Sequence, residues 1–435
     1  LQTVCCLIQQ LGRINQSFLT AWIKLFPIFI LGNALLLGGI LAANATAADQ
    51  YLLTPSTYKT LSAVHKLLDK QQYALALKQL KTLQERVKGA SRSKAYEQAV
   101  VLQTLGYAYS SMDDYSKAIQ AFEASLDLEA LPAQVIHDVR YSLAQIYMAT
   151  EQYAKAAKSL EVWFKEAKAP PAEAHILAAS AYYYLKQYTQ AIPHIMAAID
   201  LAKEPQESWY QLHLAVRLEL KQYHHAAQVL EILISQFPEK EQYWQQLAAV
   251  YLEMSKEHQS LAVQALTAHM RQLGGKELLR LADFYHYLNI PYKAAQVLQQ
   301  GLRANTIKVS AKNWEHLANA WLAAREWKKA ANAFSEAGRL RHDGKMDLRR
   351  GQIFIELQQW EQAGKAFEQA LRKGGLDDPG QVRLFLGQVR YEQGRFADAV
   401  RALELARKSP NCSKQAMQWL KHLQMVQKQR IAGEG

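Results

Sequence analysis

The most constraining feature of this chain is a recurrence. An alanine that opens an apolar stretch returns as Ala76, Ala118, Ala156, Ala191 and Ala226, is replaced once by Ser260, and returns again as Ala294, Ala330, Ala363 and Ala399. The intervals are 42, 38, 35, 35, 34, 34, 36, 33 and 36 residues. In the clearest unit, Trp314 to Ala337, the residues Trp314, Leu317, Ala318 and Trp321 fall on one helical face and Ala330, Phe334 and Ala337 on another. Two short helices joined across Arg325 to Trp327 pack closely only if the small Ala318 faces the small Ala330 while rings fill the space around them. A single hairpin of this kind cannot bury its own apolar stripe, so each unit needs neighbours and a linear stack results.

The order of residues in that unit (aromatic, leucine, small, aromatic, then alanine and phenylalanine four apart) resembles the tetratricopeptide repeat (TPR). The expected fold is therefore all-α: a TPR solenoid, a right-handed superhelix of about ten helix-turn-helix repeats, with a C-terminal capping helix. Gly106, Ala144, Ala248 and Ala282 are expected to pack like Ala318, alongside Trp314, Trp321, Ala330 and Phe334. The array is expected over residues 58–410, after a leader over 1–45 and a linker over 46–57, with the cap and tail at 411–435. Pro193, two residues past Ala191, should distort or delay the second helix of the fourth repeat. The sixth repeat, with Ser260 at the marker, should have an irregular second helix.

From Leu25 to Leu41 the chain is uncharged and apolar, preceded by Arg13 and Lys24. Ala43-Asn44-Ala45 and Ala45-Thr46-Ala47 have the small-x-small form of a signal-peptidase site, so a signal peptide cleaved near Ala45 or Ala47 and a periplasmic location are expected. The alternative is an inner-membrane anchor facing the periplasm.

No catalytic motif stands out, so the chain reads as a non-enzyme without cofactor or metal. It has no glycine-rich phosphate loop, no H-E-x-x-H, no C-x-x-C and no nucleophile elbow. The 13 histidines are scattered, and the adjacent His224 and His225 point to different sides of a helix. Cys5 and Cys6 precede the apolar run, which leaves Cys412 alone after it.

Binding in such a stack is expected on the face opposite the packing stripe of each first helix. That face takes in Tyr107, Tyr141, Gln145, Met148, Ile176, Tyr183, Tyr184, Gln211, Gln245, Leu252, His286 and Tyr287. It is aromatic and amide-rich, which suits a protein or peptide partner held in the concave groove by ring contacts and side-chain amides. TPR domains that clamp acidic C-termini use clustered lysines and asparagines, and here Lys276, Lys312, Asn319 and Lys345 occur only singly. The net charge of +12 lies mostly in the last third, where residues 301–435 carry 24 basic and 14 acidic side chains. Besides a solvated surface, that imbalance fits contact with anionic lipid or an acidic protein, and nucleic acid is not expected.

Two stretches carry a narrower resemblance: Tyr243-Trp244-Gln245-Gln246-Leu247-Ala248 with Val250-Tyr251-Leu252, and Ile290-Pro291-Tyr292-Lys293-Ala294-Ala295-Gln296-Val297-Leu298. They resemble the exported TPR proteins encoded beside TonB, ExbB and ExbD components in marine gammaproteobacteria, over Tyr58 to about Leu423. The resemblance implies a periplasmic accessory of a TonB-type energy-transduction system for outer-membrane uptake, iron uptake included, with those components as partners. Two alternatives stay open: an envelope assembly factor for pili, polysaccharide export or outer-membrane proteins, and a regulatory TPR protein attached to an enzyme.

Overall fold

The structure is a computed structural model that describes residues 51–89, 91–270 and 273–433. The expected leader and its expected cleavage site lie outside the described residues. The chain divides into two compact units, one ending at Tyr243 and the other beginning at Trp244.

The first unit holds five hairpins: α1 (Pro55–Asp69) with α2 (Tyr73–Arg86), α3 (Arg92–Ser110) with α4 (Tyr115–Asp127), α5 (Ala133–Ala149) with α6 (Tyr153–Glu166), α7 (Ala172–Tyr184) with α8 (Tyr188–Leu201), and α9 (Glu207–Glu219) with α10 (Tyr223–Gln236). Helix α11 (Glu241–Glu253) straddles the boundary and pairs in sequence with α12 (Glu257–Met270). The second unit continues with α13 (Gly275–Tyr287) and α14 (Pro291–Arg303), α15 (Ala311–Ala323) and α16 (Trp327–Arg339), α17 (Lys345–Glu356) and α18 (Trp360–Lys373), and α19 (Pro379–Glu392) and α20 (Phe396–Arg407). The long α21 (Ser413–Gly433) follows them. Among the described residues there is no strand.

All ten hairpins among the described residues turn in the same way. Between the helices one residue takes positive φ: Gln71, Asp113, Glu151, Lys186, Lys221, Ser255, Asn289, Arg325, Gln358 or Gly394. The next residue donates its N–H to a carbonyl five residues back, as Gln72 does to Leu67, Glu326 to Trp321 and Arg395 to Arg390. This closes the last turn of each first helix with the six-to-one bond of a Schellman motif. Nine of the ten left-handed residues are not glycine, so tertiary packing holds a backbone conformation that the side chain disfavours.

In the second, ninth and tenth hairpins a glycine of the first helix meets a large side chain of the second, Gly106 with Phe122, Gly351 with Phe367 and Gly387 with Leu403. Gly106 approaches Phe122 so closely that an added Cβ would lie 2.6 Å from the ring, and at Gly351 the distance to Phe367 would be 2.4 Å. Ala144, Ala248, Ala282, Ala318 and Ala330 are buried at the equivalent interfaces, with Phe334 and Trp321 among the largest buried side chains. Trp314 and Trp327 are half-buried against the same cluster. Leucine at Gly351 is accordingly expected to destabilise the protein by about 1–3 kcal/mol through overpacking, read as a lower urea midpoint.

Two local expectations, at Pro193 and at Ser260, can be set beside the structure. Pro193 neither shortens nor delays α8, which keeps 14 residues, as α6 and α10 do. The first turn tightens instead, Gln190 N–H bonding the Gln187 carbonyl at 3.0 Å while the Ala191 bond to the same oxygen lengthens to 3.3 Å. In the sixth repeat Ser260 takes the alanine's buried place, and its hydroxyl donates to the Ala248 carbonyl at 2.8 Å. The start of the array is tied down by Glu97, a fully buried carboxylate that accepts from Thr54 N at 2.8 Å and from Lys94 at 3.0 Å. Burial pushes its pKa up, but these bonds prevail and hold it at about 2.

Candidate functional site

Successive hairpins form two layers. First helices of neighbouring repeats approach one another, α1 with α3, α5 with α7, and α7 with α9, more closely than second helices do. The first helices are therefore the inner layer of the first unit, and outward-turned residues of that layer line its groove.

In the first unit the groove is built from tyrosines that each set one side of the ring against the core. Tyr107 meets Phe122 edge-on at 4.9 Å, Tyr141 leans on Trp163 at 4.9 Å, and Tyr184 stacks on Tyr153 at 4.4 Å and 9°. Tyr183 stands edge-on to Tyr184 at 5.7 Å. All four are half-buried, and burial pushes the Tyr141 and Tyr183 hydroxyls up to about 12 and raises those of Tyr107 and Tyr184. The phenols stay neutral, so this face offers rings and O–H groups without charge.

The amides divide. Gln145 is half-buried on the groove face. Gln211 is already engaged, donating to Tyr243 Oη at 2.7 Å and Glu207 Oε1 at 3.2 Å, while Lys240 Nζ holds the other Glu207 oxygen at 2.5 Å. Burial opposes ionisation of Glu207, but Lys240, Tyr243 and Gln211 together keep its pKa below the ordinary value. Gln211 thus braces the groove wall.

Ile176 and Met148 do not belong to the groove. Ile176 is 2 % exposed and packs against Ala198 and Trp209, and Met148 is 1 % exposed. Ile176 lies between Ala198 of its own hairpin and Trp209 of the next repeat, which covers it.

In the second unit Tyr287 is 72 % exposed, Gln245 and His286 are also exposed, and Leu252 is half-buried. Lys345, one of the singly placed groove lysines, is held by Asp377 at 2.8 Å.

One cluster was not anticipated from sequence. His175 on α7 and His194 on α8 face each other with Nδ1 atoms 3.1 Å apart, and Phe164 leans on both rings. One imidazole must donate and the other accept, so the pair is stable only while one facing nitrogen lacks a proton. The spacing of 19 residues gives no motif, and only the hairpin fold brings the two together. Among the described residues no group of three or more His, Cys, Asp or Glu side chains could hold a metal, and no helix is long and apolar enough to cross a membrane.

Three segments match tetratricopeptide repeat profiles: residues 94–130, 172–205 and 348–411. No curated protein compared with the chain matches it. Solved structures are similar at low identity. A tetratricopeptide repeat protein from Parabacteroides merdae ATCC 43184 is 15 % identical, covering 66 % of this chain and 94 % of its own, with a TM-score of 0.36. MamA from Desulfovibrio magneticus RS-1, from residue 41 to its end, is 19 % identical over 43 % of this chain and 99 % of its own, with a TM-score of 0.35. YrrB, described as a TPR protein with an unusual peptide-binding site, is 16 % identical over 38 % of this chain and 83 % of its own, with a TM-score of 0.33. The matched segments fall on four of the hairpins whose turns and small-to-large contacts recur through both units, and the fold is an all-helical solenoid of tetratricopeptide repeats.

Proposed function

We propose that this protein is a non-enzymatic interaction scaffold that holds a polypeptide segment of a protein partner along its inner helical layer. The observation that carries this reading is the row of neutral, half-buried tyrosines Tyr107, Tyr141, Tyr183 and Tyr184, fixed by ring contacts behind them. Rigid rings lose little conformational freedom on binding and offer both apolar area and a hydroxyl, which suits an uncharged peptide.

The finer proposal is a periplasmic accessory of a TonB-type energy-transduction complex. Its support is the resemblance carried by Tyr243 to Leu252 and Ile290 to Leu298, together with the apolar leader and its small-x-small sites.

Affinity capture from envelope extracts followed by mass spectrometry tests both levels. TonB, ExbB or ExbD components are expected in the captured material, and recovery of pilus or polysaccharide-export components without them would overturn the TonB assignment. Replacing Tyr183 and Tyr287 by alanine is expected to lower partner recovery at least about tenfold, the loss of two aromatic contacts, with far-UV circular dichroism unchanged. Unchanged recovery would move the site off the inner layer.

A further inference from the structure

The C-terminal helix α21 does more than close the solenoid. Its inward face, Ala416, Leu420 and Leu423, is buried with Cys412 against Leu384, Leu403 and Ala406. Past Leu423 no described residue of the helix is buried, yet the helix runs on to Gly433. A cap needs only the first half of that length.

The opposite face has a composition that capping does not require. At 100° per residue, Lys414, Lys421 and Lys428 fall in one slowly drifting line, each about 10 Å from the next, on the side of the helix away from the packed face. Met417 and Met425 lie on the same face, 43 % and 58 % exposed. Residues 413–433 contain no Asp or Glu. Elsewhere in this unit cations pair within their own helices, as Arg339 does with Glu336 and Arg407 with Glu404. Among the described residues none of the three lysines has an ion-pair partner.

We infer that the outer face of α21 docks on an anionic lipid surface. Interleaved lysines and flexible thioethers match a headgroup layer, where ammonium groups reach phosphates and apolar side chains enter the acyl boundary. A fixed acidic protein site would instead favour guanidinium forks and a shaped pocket, and this face is a straight row of point charges on an open helix. The lysines are the source of attraction and the methionines of partitioning, so both should matter.

Sedimentation of the full chain with vesicles tests the inference. Binding is expected to equal parts phosphatidylcholine and phosphatidylglycerol, to weaken as salt rises, and to be absent with phosphatidylcholine alone. Lys414→Gln, Lys421→Gln and Lys428→Gln together are expected to weaken binding at least about tenfold, given the attraction of each juxtamembrane cation. Met417→Ser with Met425→Ser should weaken it while leaving the salt dependence in place. Changing Lys308 and Lys312 to glutamine, elsewhere in the basic third, should leave it unaltered. Circular dichroism shows whether each variant keeps its helices. Acidic vesicles that do not bind, a triple lysine variant that binds like the parent, or binding to soluble poly-glutamate but not to vesicles would overturn the assignment.

Discussion

Trp321→Ala is expected to destabilise the second unit by about 3–5 kcal/mol, the range for removing a large buried aromatic. Trp321 is 2 % exposed, meets Tyr292 edge-on at 5.4 Å, and has the Lys329 ammonium 4.5 Å above its ring. The change therefore removes apolar burial, an aromatic pair and a cation–π contact together, and neighbouring hairpins cannot collapse into the space without breaking their own small-to-large contacts. Trp314→Ala should cost less, because Trp314 is only half-buried. Guanidinium denaturation followed by circular dichroism measures both. Equal effects of the two substitutions would contradict the packing described here.

Acid should destabilise the first unit well before its carboxylates protonate. Burial, and then the charge of His175, depress His194 from 6.5 to about 4, and burial, Arg217 and His225 depress His213 to about 4. His175 and His65 are lowered by burial as well, although Asp69 pulls His65 back up. Because the unfolded chain binds these protons first, the stability is fully present above pH 6.5, declines as pH falls through 6.5, and is lost by about pH 4. Each such histidine adds up to about 1.4 kcal/mol per pH unit in that window. The contribution of Glu97, held at about 2 against 4.5, persists through this range and disappears only as pH drops below 4.5 towards 2. Melting temperature measured against pH should therefore fall in two stages. His194→Gln should make the upper stage shallower while His213 keeps part of it, and a profile that stays flat from pH 7 to 5 would contradict the depressed histidines.

The sequence displayed the repeat phase because packing imposes it. Ala318 against Ala330 and Gly106 against Phe122 allow few substitutes, so these positions recur and can be counted. The turns were placed but not described, since only Gly394 among the ten left-handed residues carries the usual glycine signal. The groove was legible in part. Helical angle alone separates a hairpin's packed face from the rest, and it turned the half-buried Tyr183 and the exposed Tyr287 away from that face, but it does not say which outward residues the next repeat covers. Ile176, covered in part by Trp209 of the next repeat, was misplaced for that reason, Met148 is buried as well, and Gln211 was taken as available when Glu207 and Tyr243 already hold it. The His175 and His194 pair had no local signal at all, because its members come from two helices of one hairpin.

Photo-crosslinking in living cells tests most directly whether the inner helical layer is the docking face. A benzophenone amino acid is placed singly at Tyr183 and Tyr287 on first helices, and at Ile232 and Leu405, exposed on second helices. Docking on the first helices predicts covalent capture of a protein partner from Tyr183 in the first unit or Tyr287 in the second, each read by itself, and none from Ile232 or Leu405. Capture from the second helices alone would contradict it.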